Sequence, residues 1–306
     1  MKVKHIRRKI RYALIFQLVR FMIFISRLMP RSAWLALCGS LGYGAYYIAS
    51  DSRKKTLRHL TWAFGHEKNP EQLKQMSREV FVMLGKNAGD ILRAYPITKE
   101  EELHQFLKVN GVEYLKEAYS RKKGVIFLTA HIGAFELAVT EVAFLGMRPL
   151  VVGTPLKDKR LNNLLWAQRS KIGSAAIERG KESIRLLKNL MSGGTMGILI
   201  DQDTRVKSVF VDFFGKPCAT PVGAAVLALK TGAAVVPTFV HLREDGLQEL
   251  NFYPEITVNN TGNETEDIFI NTQVFSLAIE SEIRKYPTQW VWMHERWKTI
   301  PGEEIR

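Results

Sequence analysis

The pattern of apolar and polar positions divides the chain near residue 60. Before that point, two apolar stretches, Tyr12–Ile25 and Trp34–Ala49, alternate with basic residues. After it, Pro70–Arg93 repeats apolar residues every three or four positions, which predicts an amphipathic helix. From Val125 onward, short apolar runs alternate with helical segments, which is typical of a mostly parallel sheet with helices on both faces.

The predicted strands of this sheet are Val125–Thr129, Leu150–Gly153, Met196–Ile200, Val235–Leu242, Leu250–Tyr253 and Glu255–Val258. The predicted helices around it are Val112–Tyr119, Phe135–Leu145, Lys159–Lys171, Glu182–Met191 and Glu266–Lys285. Thr220-Pro221 resembles a helix N-cap followed by proline at the first helical position, and it predicts a helix that runs to Lys230. The fold class is therefore α/β, with one domain over residues 61–306 and a basic, apolar membrane-attachment region over residues 1–60.

Composition and charge narrow the class of protein. The 306 residues are 46% hydrophobic, which excludes a disordered chain, and two cysteines cannot form a disulfide framework. Residues 1–60 hold thirteen bases and one acid, so they account for +12 of the net charge of +14. Because the excess charge is confined to this apolar N-terminus, the sequence argues against a nucleic-acid partner.

The N-terminal region is predicted to attach the protein to a membrane surface. Neither apolar stretch reaches the roughly 20 clean residues of a spanning helix, and Gln17 and Arg20 interrupt the first. We therefore expect an interfacial or short anchoring helix, with the flanking bases on anionic headgroups at the cytoplasmic side. The alternatives are a signal peptide, for which no cleavage site follows Ile25, and a buried helical hairpin.

The sharpest chemical feature follows the strand Val125–Thr129. His131 lies on the next loop, Gly133 permits a tight turn, and Glu136 opens the predicted helix. An imidazole that takes a proton from an alcohol needs a carboxylate on its other nitrogen. No G-x-S-x-G elbow supplies a nucleophile, so the alcohol is expected to belong to a substrate. Taken alone, the spacing fits a helix-capping histidine and a surface glutamate equally well.

Further segments in the same order make the pattern specific. The stretch from His131 to Glu136 resembles the H-x4-D/E block of the glycerolipid acyltransferase superfamily, and residues 173–179, 201–205 and 235–237 look like its later blocks. Residues 209–215, 219–221 and 290–299 are similar to the bacterial lipid A biosynthesis (lauroyl/myristoyl) acyltransferase family. This likeness covers nearly the whole chain.

The resemblance implies an enzyme that transfers an acyl chain from acyl carrier protein to a hydroxyl of a lipid A precursor. It places the reaction at the cytoplasmic face of the inner membrane, with His131 as general base and Glu136 as the partner that orients it. No metal or organic cofactor is implied, because the thioester already supplies the activation and the protein must supply positioning and charge stabilisation.

Cations in the later blocks are candidate substrate contacts. Guanidinium groups bind phosphates and carboxylates in a bidentate manner, so Arg169, Arg179 and Arg205 are expected at the headgroup or the oxyanion. Ion pairs with neighbouring acids are an equal alternative for Arg179 and Arg205. Asp203 matches the acidic position of the third block and is preferred over Asp201 as a site residue.

Three other functions remain open from the sequence. The same chemistry could act on another lipid acceptor, such as a lysophospholipid, a glycolipid or an amino-acid lipid. A metallohydrolase could use His131, Glu136, Asp201, Asp203 and His241, although neither H-x-x-x-H nor H-E-x-x-H spacing is present. A binding protein without catalytic activity could gather anionic lipid at its basic N-terminus.

Overall fold

The computed structural model describes residues 2–178 and 182–302, which form eleven helices and nine strands. The helices are α1 Lys2–Leu28, α2 Arg31–Ile48, α3 Ser50–Phe64, α4 Pro70–Ala94, α5 Glu100–His104, α6 Val112–Ser120, α7 Glu136–Phe144, α8 Lys159–Arg169, α9 Ser183–Met191, α10 Gly223–Thr231 and α11 Glu264–Lys285. The strands are β1 Leu107–Asn110, β2 Val125–Thr129, β3 Leu150–Gly153, β4 Ala175–Glu178, β5 Thr195–Leu199, β6 Ser208–Phe213, β7 Lys216–Pro221, β8 Ala234–Leu242 and β9 Gln248–Phe252.

Seven strands form the central sheet, in the order β1-β9-β8-β2-β5-β3-β4. The strands β8, β2, β5, β3 and β4 run parallel, whereas β9 is antiparallel to β8 and pairs in parallel with β1. Every residue of β2 and β8 is buried, because helices cover both faces and these central strands contact a core on each side. The expected α/β class with a mostly parallel sheet is confirmed.

Two of the segments predicted from the sequence take a different secondary structure. Thr220 and Pro221 end β7, which pairs with β6 in an antiparallel hairpin, so the prediction that they open a helix is wrong. The helix α10 begins at Gly223 instead. Proline is accepted here because β6 and β7 form a separate two-stranded sheet, in which a strand edge needs no donor. The predicted strand Glu255–Val258 is reduced to one bridge, between Ile256 and Val235.

Glycines allow α2 to lie very close to α4. A Cβ atom at Gly42 would lie 2.2 Å from the carbonyl oxygen of Phe81, and one at Gly85 would lie 2.2 Å from that of Cys38. Trp34, which is fully buried, adds a hydrogen bond of 2.9 Å from Nε1 to the carbonyl oxygen of Gly89. The backbones of α2 and α4 are therefore in direct contact.

A buried chain of polar groups joins these helices to the sheet. Arg31 donates to both carboxylate oxygens of Asp90, at 2.9 and 2.7 Å. Gln248 on β9 donates to Asp90 and to Asn87, at 2.8 and 3.0 Å, and Asn87 donates to Gln289 at 3.3 Å. These hydrogen bonds connect α2 and α4 to β9 and to the C-terminal segment, residues 287–302, although Oε1 of Gln248 has no partner among the described residues.

The first helix presents two different faces. One side packs against α4, where Arg93 donates to the carbonyl oxygen of Met29 at 3.1 Å. On the other side, large apolar side chains recur every three or four residues and are more than half exposed: Ile10, Leu14, Leu18, Phe21, Phe24 and Leu28. No helix in the described residues combines the length and the apolar character needed to cross a bilayer.

We expect Gly42→Ala to destabilise the fold, because its new methyl group would meet the Phe81 backbone and push α2 away from α4. The expected loss is about 2 kcal/mol or more in the free energy of unfolding, measured by urea denaturation. Gly44→Ala on the same helix is the matched control, since a Cβ atom there meets nothing within 4 Å. It should stabilise the helix by about 0.5–1 kcal/mol. Equal effects of the two substitutions would contradict the close contact.

Candidate active site

Two neighbouring parallel strands bring His131 and Asp201 together. β2 and β5 pair with Thr129 opposite Leu199, and both site residues follow two positions after this pair. Since parallel strands end at the same edge of a sheet, their following loops meet there. Nδ1 of His131 lies 2.9 Å from Oδ1 of Asp201, and the backbone N–H of His131 donates to Oδ2 at 2.8 Å.

A tryptophan completes the surroundings of the buried carboxylate. Trp290 donates from Nε1 to Oδ2 of Asp201 at 2.8 Å, and both side chains are buried. Trp290 is held beside the site by a backbone bridge to Ile132. Asp201 therefore contacts three protein nitrogens, and the His131 and Trp290 donors come from segments that are far apart in the chain.

The charge of Asp201 fixes the orientation of the imidazole. Burial by itself would raise the pKa of Asp201, but the charge of His131 and the bonds from His131 and Trp290 outweigh it and lower the pKa to about 2. The anionic carboxylate favours a proton on Nδ1, which leaves Nε2 as the basic nitrogen. The His131 side chain is 27% exposed, and among the described residues Nε2 has no hydrogen-bond partner.

A glycine and a glutamine hold the loop that follows His131. Gly133 has φ +59°, and a Cβ atom there would lie 2.0 Å from the carbonyl oxygen of Val240 on β8. Its N–H donates to the carbonyl oxygen of Gln289 at 3.0 Å. The Gln289 side chain in turn pairs with both backbone groups of Leu242, at 2.7 and 2.8 Å. The loop is thus fixed against β8 and the C-terminal segment.

Glu136 has a different partner from the one expected. Nε of Arg169 donates to the two carboxylate oxygens of Glu136 at 3.1 and 3.0 Å, and Nη2 also contacts this carboxylate. The expected contact between His131 and Glu136 is therefore wrong, because Asp201 occupies Nδ1 of the imidazole. A buried carboxylate is stabilised best by a bidentate guanidinium, and Arg169 at the end of α8 supplies it. This pair ties α7 to α8 beside the site.

The remaining predicted site residues are dispersed. Asp203 accepts hydrogen bonds from the backbone N–H and the hydroxyl of Thr299, at 2.8 and 3.1 Å, so it binds the C-terminal segment. Arg205 is exposed and has no ion-pair partner among the described residues. Arg179 lies outside the described residues. Asp201, which the motif ranked below Asp203, is the acid that contacts the imidazole, and the substrate contact expected of Asp203 stays a prediction.

The histidine proposed for a metal site lies elsewhere. Nε2 of His241 is 3.1 Å from Glu249, and its ring stacks on Tyr286 with centroids 3.6 Å apart. In the described part of the chain, the side chains whose spacing could hold a metal ion are Glu100, His104 and Glu141. Neither group includes His131, so the geometry does not assemble the metallohydrolase set.

The C-terminal segment contributes residues to which the sequence motifs assign no role. Arg296 is fully buried and donates to the carbonyl oxygen of Ala219 and the hydroxyl of Thr220, at 2.6 and 2.5 Å, which ties it to the hairpin β6–β7. Burial lowers the pKa of His294, on which the charges of Asp201 and His131 act in opposite directions. In the sequence, only the run of aromatic and basic residues over 290–299 indicated that Arg296 and His294 lie near the site.

The arrangement is suited to proton transfer with an external hydroxyl. It holds an oriented imidazole with one open nitrogen, and no serine or cysteine among the described residues hydrogen-bonds to it. Such a base can deprotonate an alcohol that binds next to it.

Comparison with known proteins assigns the chemistry. A family model described as bacterial lipid A biosynthesis acyltransferase matches residues 1–299. The chain is 25% identical over 274 residues to a lipid A biosynthesis acyltransferase of Haemophilus influenzae, covering 88% of this chain and 83% of the relative. It is 28% identical over 243 residues to a lipid A biosynthesis palmitoleoyltransferase of Escherichia coli, covering 76% and 75%.

A relative with a different acceptor is similar over the same length. A phosphatidylinositol mannoside acyltransferase of Mycolicibacterium smegmatis is 24% identical over 276 residues, covering 88% of this chain and 87% of the relative. All three relatives are acyltransferases.

Because the pKa of Asp201 is low, the free energy of unfolding depends on pH in the acidic range. A carboxyl whose pKa is about 2 when folded and 3.8 ordinarily stabilises the fold above pH 4, and this stabilisation is lost as pH falls towards 2. In Asp201→Asn, the decrease in the free energy of unfolding from pH 4 to pH 2 should be smaller by about 2 kcal/mol, measured by urea unfolding across this range. Trp290→Phe, which deletes one donor, should reduce the same decrease by a smaller amount. Equal pH slopes in all three proteins would contradict the assigned contacts.

Proposed function

We propose, since this chain belongs to the bacterial lipid A biosynthesis acyltransferase family, that it moves a fatty acyl chain from acyl carrier protein to a hydroxyl of a lipid A precursor. Family membership and the named relatives make the chain an acyltransferase for a lipid acceptor. Acyl carrier protein as donor, His131 as base and the inner membrane as the place of reaction are our proposals.

The observation that supports the mechanism is the pair of His131 and Asp201. We assign Nε2 of His131 as the base that removes the proton of the acceptor hydroxyl, with the buried Asp201 anion stabilising the imidazolium that forms. The acceptor oxygen then attacks the thioester carbonyl to give a tetrahedral intermediate. Its collapse forms the ester and expels the carrier thiolate, which takes the proton back from Nε2. Protons balance, and no cofactor enters the step.

Arg169 and Glu136 support this chemistry by position. Their ion pair fixes the first turn of α7 against the last turn of α8, and it leaves Nη1 of Arg169 next to Gly153 at the end of β3. We assign the pair a positioning role at the acyl-transfer site, with Asp203 holding the C-terminal segment in the same way. Arg205, exposed at this edge of the sheet, is the cation that we assign to an anionic group of a substrate.

The first helix supports attachment to a membrane surface. Its apolar face is turned away from the protein body, and bases such as Lys9, Arg11, Arg20 and Arg27 lie beside that face. An amphipathic helix of this kind lies in the plane of the interface, with its bases at anionic headgroups. We propose that α1 docks the enzyme on the cytoplasmic face of the inner membrane.

A second acceptor class is supported by one observation. A relative of equal coverage is named for phosphatidylinositol mannoside rather than lipid A, so the same catalytic pair is compatible with a different glycolipid. A direct comparison of acceptors decides between the two.

We expect purified protein to acylate a tetraacyl lipid A precursor when acyl carrier protein supplies the acyl chain. His131→Ala should abolish product, and Asp201→Asn should lower kcat about 10³-fold or more, because the imidazole loses its orienting anion. His66→Ala, an exposed histidine outside the site, is the matched control and should keep full activity. Mass spectrometry of the lipid product measures transfer.

The same assay with other acceptors tests the branch of the family. Turnover of a lysophospholipid or a mannoside lipid alone would replace the lipid A precursor as acceptor and leave the reaction class in place. Full activity of His131→Ala would exclude this residue as the base.

Charged substitutions on α1 test membrane docking. The double variant Leu18→Glu/Phe21→Glu should lower partitioning onto anionic vesicles on the order of a hundredfold, because two large apolar side chains leave the interface. Phe269→Glu/Leu277→Glu, which changes two exposed apolar residues of α11, is the matched control and should bind vesicles like the wild type. Co-sedimentation measures partitioning, and unchanged binding of the α1 variant would contradict this role.

A further inference from the structure

A basic cleft lies between the start of α1 and the loop that precedes α8. Its cavity volume is about 920 Å³. One acid and five bases line it, and these charged residues are Arg8, Lys9, Lys157, Asp158, Lys159 and Arg160. The cleft therefore has a large excess of positive charge, and it is separate from the pair of His131 and Asp201.

The carboxylate of Asp158, the acid that lines this cleft, already accepts hydrogen bonds from neighbouring groups. Asp158 caps the N-terminus of α8 and accepts from Nε and Nη2 of Arg160 at 3.1 and 2.9 Å. The Arg160 guanidinium also lies over the ring of Phe16 on α1, 5.5 Å from its centroid. Lys9, Lys157 and Lys159 are exposed, and none of them pairs with a carboxylate in the part of the chain that the structure describes.

The position of the cleft on α1 sets its depth at the membrane. Successive helical residues are rotated by about 100°, so Lys9 and Phe16 lie on the flank of α1, beside the apolar face that begins at Ile10. The lining residues Tyr12 and Ala13 continue the same flank. When the apolar face contacts the membrane, the cleft opens at the level of the lipid headgroups.

The helix α8 connects this cleft to the active site. Its first residue, Lys159, lines the cleft, and its last residue, Arg169, binds Glu136. Eleven residues of α-helix span about 16 Å. A group bound in the cleft is thus separated from the Glu136–Arg169 pair by about the length of this helix.

We infer that the cleft binds a phosphoryl group on the headgroup of the lipid acceptor, an inference that rests on the proposed function. Lysine ammonium groups bind phosphate as point charges, and three unpaired ones face this space. A lipid fits better than an acidic carrier protein, because one wall of the cleft is the helix that lies on the membrane.

The inference restricts the class of acceptor. The acylated hydroxyl must reach His131 while the phosphate stays at the far end of α8. An extended phosphorylated headgroup spans this separation. A lysophospholipid does not, because only a few bonds separate its phosphate from its free hydroxyl.

The experiment compares Lys9→Ala/Lys157→Ala/Lys159→Ala with wild type on a phosphorylated acceptor and on the same acceptor after dephosphorylation, both in neutral phosphatidylcholine vesicles. Wild type should have a KM for the phosphorylated form that is lower by about tenfold or more. The triple variant should lose this preference. Lys123→Ala/Lys230→Ala, which removes two exposed bases near the amino ends of β2 and β8, is the matched control and should keep it.

A binding assay separates this inference from the proposed function. His131→Ala protein, with and without the three cleft substitutions, is sedimented with neutral vesicles that hold either form of the acceptor. Cleft-dependent binding of the phosphorylated form supports the site even where wild type shows no transfer, an outcome that would reject the proposed function alone. Equal preference in wild type and triple variant would overturn the cleft assignment, and so would a raised KM for the carrier thioester with the acceptor KM unchanged.

Discussion

A buried carboxylate at the end of one strand organises the functional edge of this protein. Asp201 is removed from water, and an unpaired anion there would cost several kcal/mol. The structure supplies His131 from the neighbouring strand end and Trp290 from the C-terminal segment. Satisfying this single charge therefore positions the His131 imidazole, holds the loop that contains Gly133, and fixes the C-terminal segment against the sheet.

The neighbouring pair of Glu136 and Arg169 has a different physical role. Because its two charges neutralise each other, it joins α7 to α8 without adding net charge. The site therefore contains one anion, Asp201, that contacts the imidazole, and one ion pair, Glu136–Arg169, that links two helices. Glu136 follows His131 closely in sequence but does not contact it, because its carboxylate is paired with Arg169.

Much of the sheet could be predicted because its central strands are mostly apolar and fully buried. Val125–Thr129 and Leu150–Gly153 are confirmed without change. The four-residue strand Ala175–Glu178 and the hairpin β6–β7 were missed. The first has one fully buried residue, Ile177, and ends in Glu178, so it lacks the apolar run that marks Leu150–Gly153. The second turns at Phe214 and Gly215, both with positive φ, whereas Asn-Gly is the sequence that usually marks such a turn.

The site was predictable in part for a similar reason. His131 stood out by its place after a strand. Its partner depended on strand register, since Thr129 pairs with Leu199 and so aligns His131 with Asp201. Register is set by packing across the sheet and is not visible in one sequence. Asp203, only two residues on, points into the C-terminal segment.

The polar chain from Arg31 to Gln289 has a consequence for how this protein can be divided. Arg31 and Trp34 belong to the basic N-terminal region, yet one neutralises the buried Asp90 and the other is fully enclosed beside Gly89. Removal of residues 1–60 would leave the carboxylate of Asp90 in the core without Arg31, the cation that pairs with it. The N-terminal helices are therefore part of the folded core, and a protein shortened to residues 61–306 would lose the packing of α4 and β9 as well as the exposed apolar face of α1.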